Sequence, residues 1–298
     1  MLNDAHCHFF STAFFAALGR GLTGADPNAP QDAALAKLGW DAPGTPEALA
    51  DRWVAELDRH GVSRAALMAS VPGDEASVAA AVARHPSRFV GMFMVDPTQP
   101  EAAARAAAAL DRGLRVVCLF PAMQRYDIQD ARVGSIFEAC AARPGTAVFV
   151  HCGVLSVGAR AKLGLPSPFD IRFGDPLHLH AVALAHPTLP IVIPHFGAGL
   201  FREALMVADL CPNILLDTSS SNGWLKYHPG LTLRAVFDQA LKVVGPDRLL
   251  FGSDSSFFPR GWVKDVYEKQ SAVLEALGAP DEIRQKVFGG NFERVFPG

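Results

Sequence analysis

Eight short, β-rich apolar runs alternate with longer Ala/Leu-rich amphipathic stretches and fill the chain from end to end, which predicts an α/β fold of the (β/α)8 TIM-barrel class. Several runs, among them Ile191-Val192-Ile193 and Leu249-Leu250-Phe251, are apolar without a break, as parallel strands buried on both faces require. An open doubly wound sheet competes for the same alternation. It ranks second because no glycine-rich phosphate turn follows the first run.

In chain order, strands are predicted over 2–8, 64–69, 89–95, 114–120, 147–151, 191–195, 214–217 and 249–252. Helices are predicted near 46–60, 75–85, 99–111, 131–143, 176–186, 199–210, 230–243 and 262–277, with a last one near 280–289. Asp175-Pro176 reads as an N-cap followed by proline at the first helical position, where a missing N–H costs no hydrogen bond. No linker divides these units, so residues 1–298 are expected to form a single domain. The connection from Phe9 to Thr45 is far longer than an ordinary βα loop and carries Gly, Pro and several Phe residues. It leaves the C-terminal end of the first strand, so it is expected to act as a partial lid.

With 50% hydrophobic residues, 19% charged residues and a net charge of −3, the chain has no electrostatic footprint for nucleic acid or an anionic membrane. Asp4, His6 and His8 interrupt what would be the apolar core of a signal peptide. Pro187, Pro190 and Pro194 break the longest uncharged run, which argues against a membrane span. Five cysteines, odd in number and without paired spacing, point to reduced thiols and a cytoplasmic location. The expected partner is a small-molecule substrate, with room for a homo-oligomer.

Active sites of such barrels form at the C-terminal strand ends. There the first strand carries Asp4-Ala5-His6-Cys7-His8. Side chains at i and i+2 share a strand face, so His6 and His8 present two imidazoles to one point, a natural ligand pair for a divalent metal. The fifth strand ends in His151, the sixth in His195, and the eighth runs into Asp254. Alone, His151 or His195 reads as a hydrogen-bonded core histidine and Asp254 as a helix N-cap. Together with the opening pair they read as one site. His178-Leu179-His180 has the same spacing but follows Asp175-Pro176 into a helical stretch, where i and i+2 do not share a face, so it is rejected as a ligand pair.

These segments, with Arg248-Leu249-Leu250-Phe251-Gly252-Ser253-Asp254, Pro86-Ser87-Arg88-Phe89-Val90-Gly91 and the closing Gly289-Gly290-Asn291-Phe292, resemble the amidohydrolase superfamily along essentially the whole chain. The likeness is strongest to its amidohydrolase-related branch, which includes aminocarboxymuconate-semialdehyde decarboxylase-like enzymes and lactone hydrolases. The resemblance implies that His6, His8, His151 and Asp254 hold one divalent metal, zinc first and manganese second, and that His195 stands over the metal-bound water or the substrate. Where binuclear members carry a bridging carboxylated lysine or glutamate, this chain has Val117-Cys118-Leu119, and Cys118 is expected to be a buried structural thiol. A single metal follows.

The chemistry is consistent with that implication. Three imidazoles and a carboxylate leave a coordination position open for water, whose pKa zinc lowers toward ~7. Asp254 is placed to accept and deliver the proton, and His195 to orient the water or stabilise the developing oxyanion. Arg160 and Arg172 after the fifth strand, Trp224 after the seventh and Arg260 after the eighth are the candidate substrate contacts. The leading expectation is a metal-dependent hydrolase of an amide, lactone or related carbonyl compound. The alternatives are a metal-dependent non-oxidative decarboxylase of an unsaturated or aromatic acid and, third, a non-catalytic metal-binding barrel.

Overall fold

In the computed structural model, which describes residues 1–297, eight parallel strands follow one another around a barrel in sequence order. They are β1 (Leu2–Phe9), β2 (Val62–Ala69), β3 (Phe89–Val95), β4 (Val116–Leu119), β5 (Ala147–Val150), β6 (Ile191–Ile193), β7 (Ile214–Asp217) and β8 (Leu249–Leu250). Main-chain bonds close β8 onto β1: Ala5 N–H donates to the Phe251 carbonyl at 2.8 Å, Asp254 N–H to His6 at 2.9 Å and His8 N–H to Ser255 at 2.7 Å. Closure leaves no sheet edge, and it fixes the end of β8 directly beside the two histidines of β1.

Alternation along each strand sorts side chains into two cores. Ala65, Leu67, Phe93, Val117, Val148, Ile191, Ile193 and Leu216 pack outward under the helices. Ala66, Met68, Met92, Met94, Cys118, Phe149, Val192, Leu215 and Leu250 fill the interior, and Phe292, Val295 and Phe296 of the last helix plug the bottom. The barrel is thus packed, not hollow, and its polar inward positions are left to the upper rim.

The helices are α1 (Thr12–Gly19), α2 (Pro30–Leu38), α3 (Pro46–Arg59), α4 (Glu75–Arg84), α5 (Ala102–Asp111), α6 (Pro121–Gln124), α7 (Ala131–Ala141), α8 (Gly158–Leu163), α9 (Leu179–Ala185), α10 (Phe201–Leu210), α11 (Leu233–Val243), α12 (Lys264–Ala276), α13 (Asp281–Gln285) and α14 (Asn291–Val295). The expected N-cap at Asp175 is present, its carboxylate accepting from Leu177 N–H at 2.9 Å with Pro176 first in the turn. His178 and His180 lie in that turn and in α9, as expected of a helical stretch.

Two expectations are corrected. The long segment after β1 is not a plain loop: it folds into α1, capped by the Ser11 hydroxyl, and α2, started by Pro30. Its Lys37 ammonium donates to the Leu163 carbonyl of α8 at 2.8 Å, so the insertions after β1 and β5 dock together. The sixth strand is shorter than predicted and stops at Ile193. Pro194 has no N–H for the ladder, and His195 and Phe196 then take left-handed conformations, φ 55° and 52°. No helix among the described residues is long and apolar enough to cross a membrane.

Candidate active site

The structure brings His6, His8 and Asp254 together, with one ligand atom of each within 4.8 Å of the others. The two imidazoles come from alternate positions of β1, and Asp254 stands on the extension of β8 that pairs with that strand. Asp254 has a left-handed backbone, φ 60°, a conformation aspartate tolerates better than most residues. The turn swings its carboxylate inward, to 3.0 Å from His8 Nε2 and 3.6 Å from His6 Nε2.

Hydrogen bonds fix which nitrogen of each ring is free. His6 Nδ1 lies 2.7 Å from Asp217 Oδ2, and a carboxylate accepts, so Nδ1 carries the proton and Nε2 bears the lone pair. On His8 the outcome is the same. The Ser70 hydroxyl donates to the Met68 carbonyl at 3.0 Å and therefore accepts from His8 Nδ1–H at 2.8 Å. Buried His6 Nε2 has no hydrogen-bond partner among the described residues. His8 Nε2 and Asp254 Oδ1 then confront each other as two acceptors at 3.0 Å, which is favourable only with a cation or proton between them. Separations of 3.0 and 3.6 Å suit ligands about 2.0–2.2 Å from one shared ion, so the donor set fits a divalent metal.

Electrostatics agree with this arrangement. Burial pulls the His6 imidazolium down, but the Asp217 carboxylate more than offsets it and the pKa is raised. Burial raises the Asp254 carboxyl, yet the His8 hydrogen bond and the nearby His195 and His6 outweigh it and hold the group well below the usual carboxylate range. Burial, then the neighbouring imidazoles His195 and His6, keep His151 neutral, its pKa well below the ordinary value.

His151 is buried at the end of β5 and is not part of the three-residue group. Its ring stacks on Phe120 at 5.5 Å and meets the His195 ring at 5.3 Å, while buried Nδ1 has no partner. His195 stacks on His6 at 5.0 Å, and its Nδ1 lies 2.8 Å from the Ser219 hydroxyl. That hydroxyl is also 3.0 Å from His6 Nδ1, so Ser219 links the two rings.

Sequence reasoning missed Asp217, Ser219 and Ser70. The available signal was position: Asp217 closes β7 two residues after inward-facing Leu215, where a carboxylate at a strand end has the standing of Asp254. It also missed the role of Asp4, fully buried one residue before Ala5. Asp4 Oδ1 accepts from His6 N–H at 2.9 Å and Ser253 N–H at 3.0 Å, and Oδ2 from the Trp262 indole at 2.6 Å. One carboxylate thereby ties the ligand segments of β1 and β8 together. Gly252 is required between them, because a Cβ there would lie 2.7 Å from His6 Cβ and 3.0 Å from Asp217 Oδ1.

Of the four expected substrate contacts, Arg160, Arg172 and Trp224 have partners within the protein, and Arg260 has none among the described residues. Arg160 donates to the Pro166 carbonyl at 3.0 Å within its own loop, and Arg172, 86% exposed, pairs with Asp170 at 2.6 Å. Trp224 is buried with its indole N–H on Asn222 at 3.0 Å. Arg260 lines an outer groove with Trp40 and Arg52. A main-chain carbonyl that claims a guanidinium, as Pro166 does that of Arg160, is invisible in a sequence. Cys118 is fully buried in the barrel interior and burial pushes its thiol well up, as a structural cysteine requires.

Residues 3–298 match the family model described as amidohydrolase. A curated relative, 2-keto-4-carboxy-3-hexenedioate hydratase of a Sphingobium species, is 32% identical over 125 residues, 37% of this chain and 34% of that protein. The match thus spans about a third of the length of that relative. Among solved structures, a probable 2-pyrone-4,6-dicarboxylic acid hydrolase of Acinetobacter baumannii with citric acid bound superposes with a TM-score of 0.63 at 14% identity, covering 100% of this chain and 99% of the other. An amidohydrolase of Burkholderia multivorans with zinc bound gives 0.62 at 18% identity, covering 99% of each chain. At such identities the superpositions speak for the barrel alone.

Proposed function

The chain belongs to the amidohydrolase family, and from that premise we propose that it is a metal-dependent hydrolase of an amide, lactone or related carbonyl substrate. The observation that carries the proposal is the pair of imidazoles on β1, each with Nδ1–H committed to a fixed acceptor, turning bare Nε2 atoms toward Asp254. Oriented rings of this kind mark metal-ligating histidines. In this reading His6, His8 and Asp254 hold a divalent ion, zinc first and manganese second, with His151 facing them from β5. When bound, the ion supplies Lewis acidity that polarises a carbonyl oxygen and acidifies water.

The remaining roles belong to the protein. Asp254, ionised across the neutral range, accepts the proton of the attacking water on a carboxylate oxygen and returns it to the departing nitrogen or oxygen. His195, held through Nδ1 by Ser219, is assigned the orientation of the carbonyl oxygen through its other nitrogen. Phe10, 5.7 Å from His8, and Phe120, against His151, supply apolar walls that exclude water from the substrate. Addition of water to a carbon–carbon double bond is a second reading, supported by the partial match to a hydratase.

Turnover of a panel of lactones, amides and unsaturated acids by zinc-loaded protein tests the proposal. Loss of turnover on chelation, recovery with zinc, and incorporation of solvent oxygen into the product are expected. Carbon dioxide release without solvent oxygen, or full turnover after complete metal removal, would overturn it.

A further inference from the structure

A cavity lies outside the barrel rim. It is a groove of about 560 Å³ between α3, the Gly39–Asp41 link that precedes it, and the Phe257–Gly261 turn after β8. That volume is in the range of small-molecule sites. An aromatic layer separates it from the histidines: Phe258 in the groove wall packs on fully buried Phe15 at 5.7 Å, Phe15 on Phe10 at 6.3 Å, and Phe10 on His8 at 5.7 Å.

The groove combines flat apolar surface with uncompensated positive charge. Trp40 and Phe258 stand nearly parallel, at 15° and 6.3 Å between ring centres. The Arg52 guanidinium is fixed 4.8 Å above the Phe257 ring and 5.2 Å above Phe258, and it donates to the Ala42 carbonyl at 3.1 Å. Among the described residues it makes no ion pair, and Arg260, which also lines the groove, makes neither an ion pair nor a hydrogen bond. Glu56 does not neutralise them. Its carboxylate, 8% exposed, is spent on Arg59 at 2.8 Å, His60 at 3.2 Å and Trp262 N–H at 3.0 Å. Asp41, exposed at the rim, is the one remaining carboxylate against two free guanidiniums. A pre-ordered guanidinium beside aromatic faces is the combination that recognises a carboxylate carried on a planar ring.

We propose that this groove is a second binding site, distinct from the histidine cluster, for a small aromatic carboxylate. Arg52 and Arg260 hold the anionic group and the half-buried Trp40 and Phe257 hold the ring, with Phe258 buried in the wall. Its walls are α3, the end of the segment that follows β1 and the turn after Asp254, and that turn leads into Trp262, whose indole bonds Asp4 behind the ligand segments. An occupant therefore rests on that segment and that turn without touching the candidate ligands.

Calorimetry of the zinc-loaded protein with 2-naphthoate tests this, with neutral 2-naphthamide as the comparison. One saturable equivalent is expected, weakened at least 10-fold by Arg52→Met and by Arg260→Met, at least 10-fold weaker for the amide, and within twofold of wild type in His8→Ala. If Arg52→Met does not fold, Arg260→Met on the exposed turn decides. No saturable binding, equal binding of the amide, unchanged affinity in both arginine variants, or loss of binding in His8→Ala would each overturn the proposal.

Discussion

Replacing Asp217 by Asn should separate the orientation of His6 from its presence. The Asp217 side chain is buried, its Oδ2 accepting from His6 Nδ1 at 2.7 Å and its Oδ1 from Ser219 N–H at 2.6 Å. Both oxygens face donors, so an amide of the same shape must turn its NH2 toward one of them. Facing Ser219, it buries two donors against each other, at about 1–3 kcal/mol for an unsatisfied buried group. Facing His6, it forces the proton onto Nε2 and removes the lone pair on which metal binding depends. Loss of such a supporting contact typically lowers metal affinity about 10–100-fold, equivalent to about 1.4–2.7 kcal/mol. Competition between the protein and a fluorescent zinc chelator reads that number directly, with His8→Ala as the fully compromised reference. Zinc affinity of Asp217→Asn within twofold of wild type would refute the reasoning, because the tautomer of His6 would then not matter.

Three further outcomes follow from the same geometry. Asp4→Ala strands three buried donors, the N–H groups of His6, Ser253 and Trp262, and should lower unfolding free energy in urea by about 3 kcal/mol, the cost being moderated because burial already raises the Asp4 carboxyl; a loss below about 1 kcal/mol would remove its structural role. Gly252→Ala places a methyl group against His6 and Asp217 and should weaken zinc binding at least about 10-fold while the far-ultraviolet circular dichroism stays that of a barrel; unchanged affinity would show that this approach is not constrained. Hydrogen bonds from Arg132 hold the Asp130 carboxyl at about 2 against 3.8 in the unfolded chain, so its contribution to stability is complete above the unfolded value and lost as pH falls toward 2. NMR titration should find that depressed midpoint, and Arg132→Ala should return it toward 3.8.

The barrel was legible because buried parallel strands need uninterrupted apolar runs, and Ile191-Val192-Ile193 or Phe149-Val150 allow no other placement. His6, His8 and Asp254 were legible because a strand end in such a barrel is a position as well as a residue type. His195 was found but misplaced: the run was read through Pro194, which cannot extend a ladder. Asp217, Ser219 and Ser70 stayed hidden because their importance lies in which nitrogen they face, a property of tertiary register that spacing does not carry. The placement of Arg160 was hidden for a related reason. A guanidinium is claimed by whichever carbonyl the loop brings to it, as Pro166 claims Arg160.

The central claim is that one divalent ion sits among His6, His8 and Asp254. Anomalous diffraction at the zinc absorption edge, from crystals grown with zinc, addresses it most directly. A single strong peak is expected in contact with His6 Nε2, His8 Nε2 and an Asp254 carboxylate oxygen. No peak at that point, or a peak there with His6 hydrogen-bonded through Nε2 and metal-bound through no atom, would contradict it.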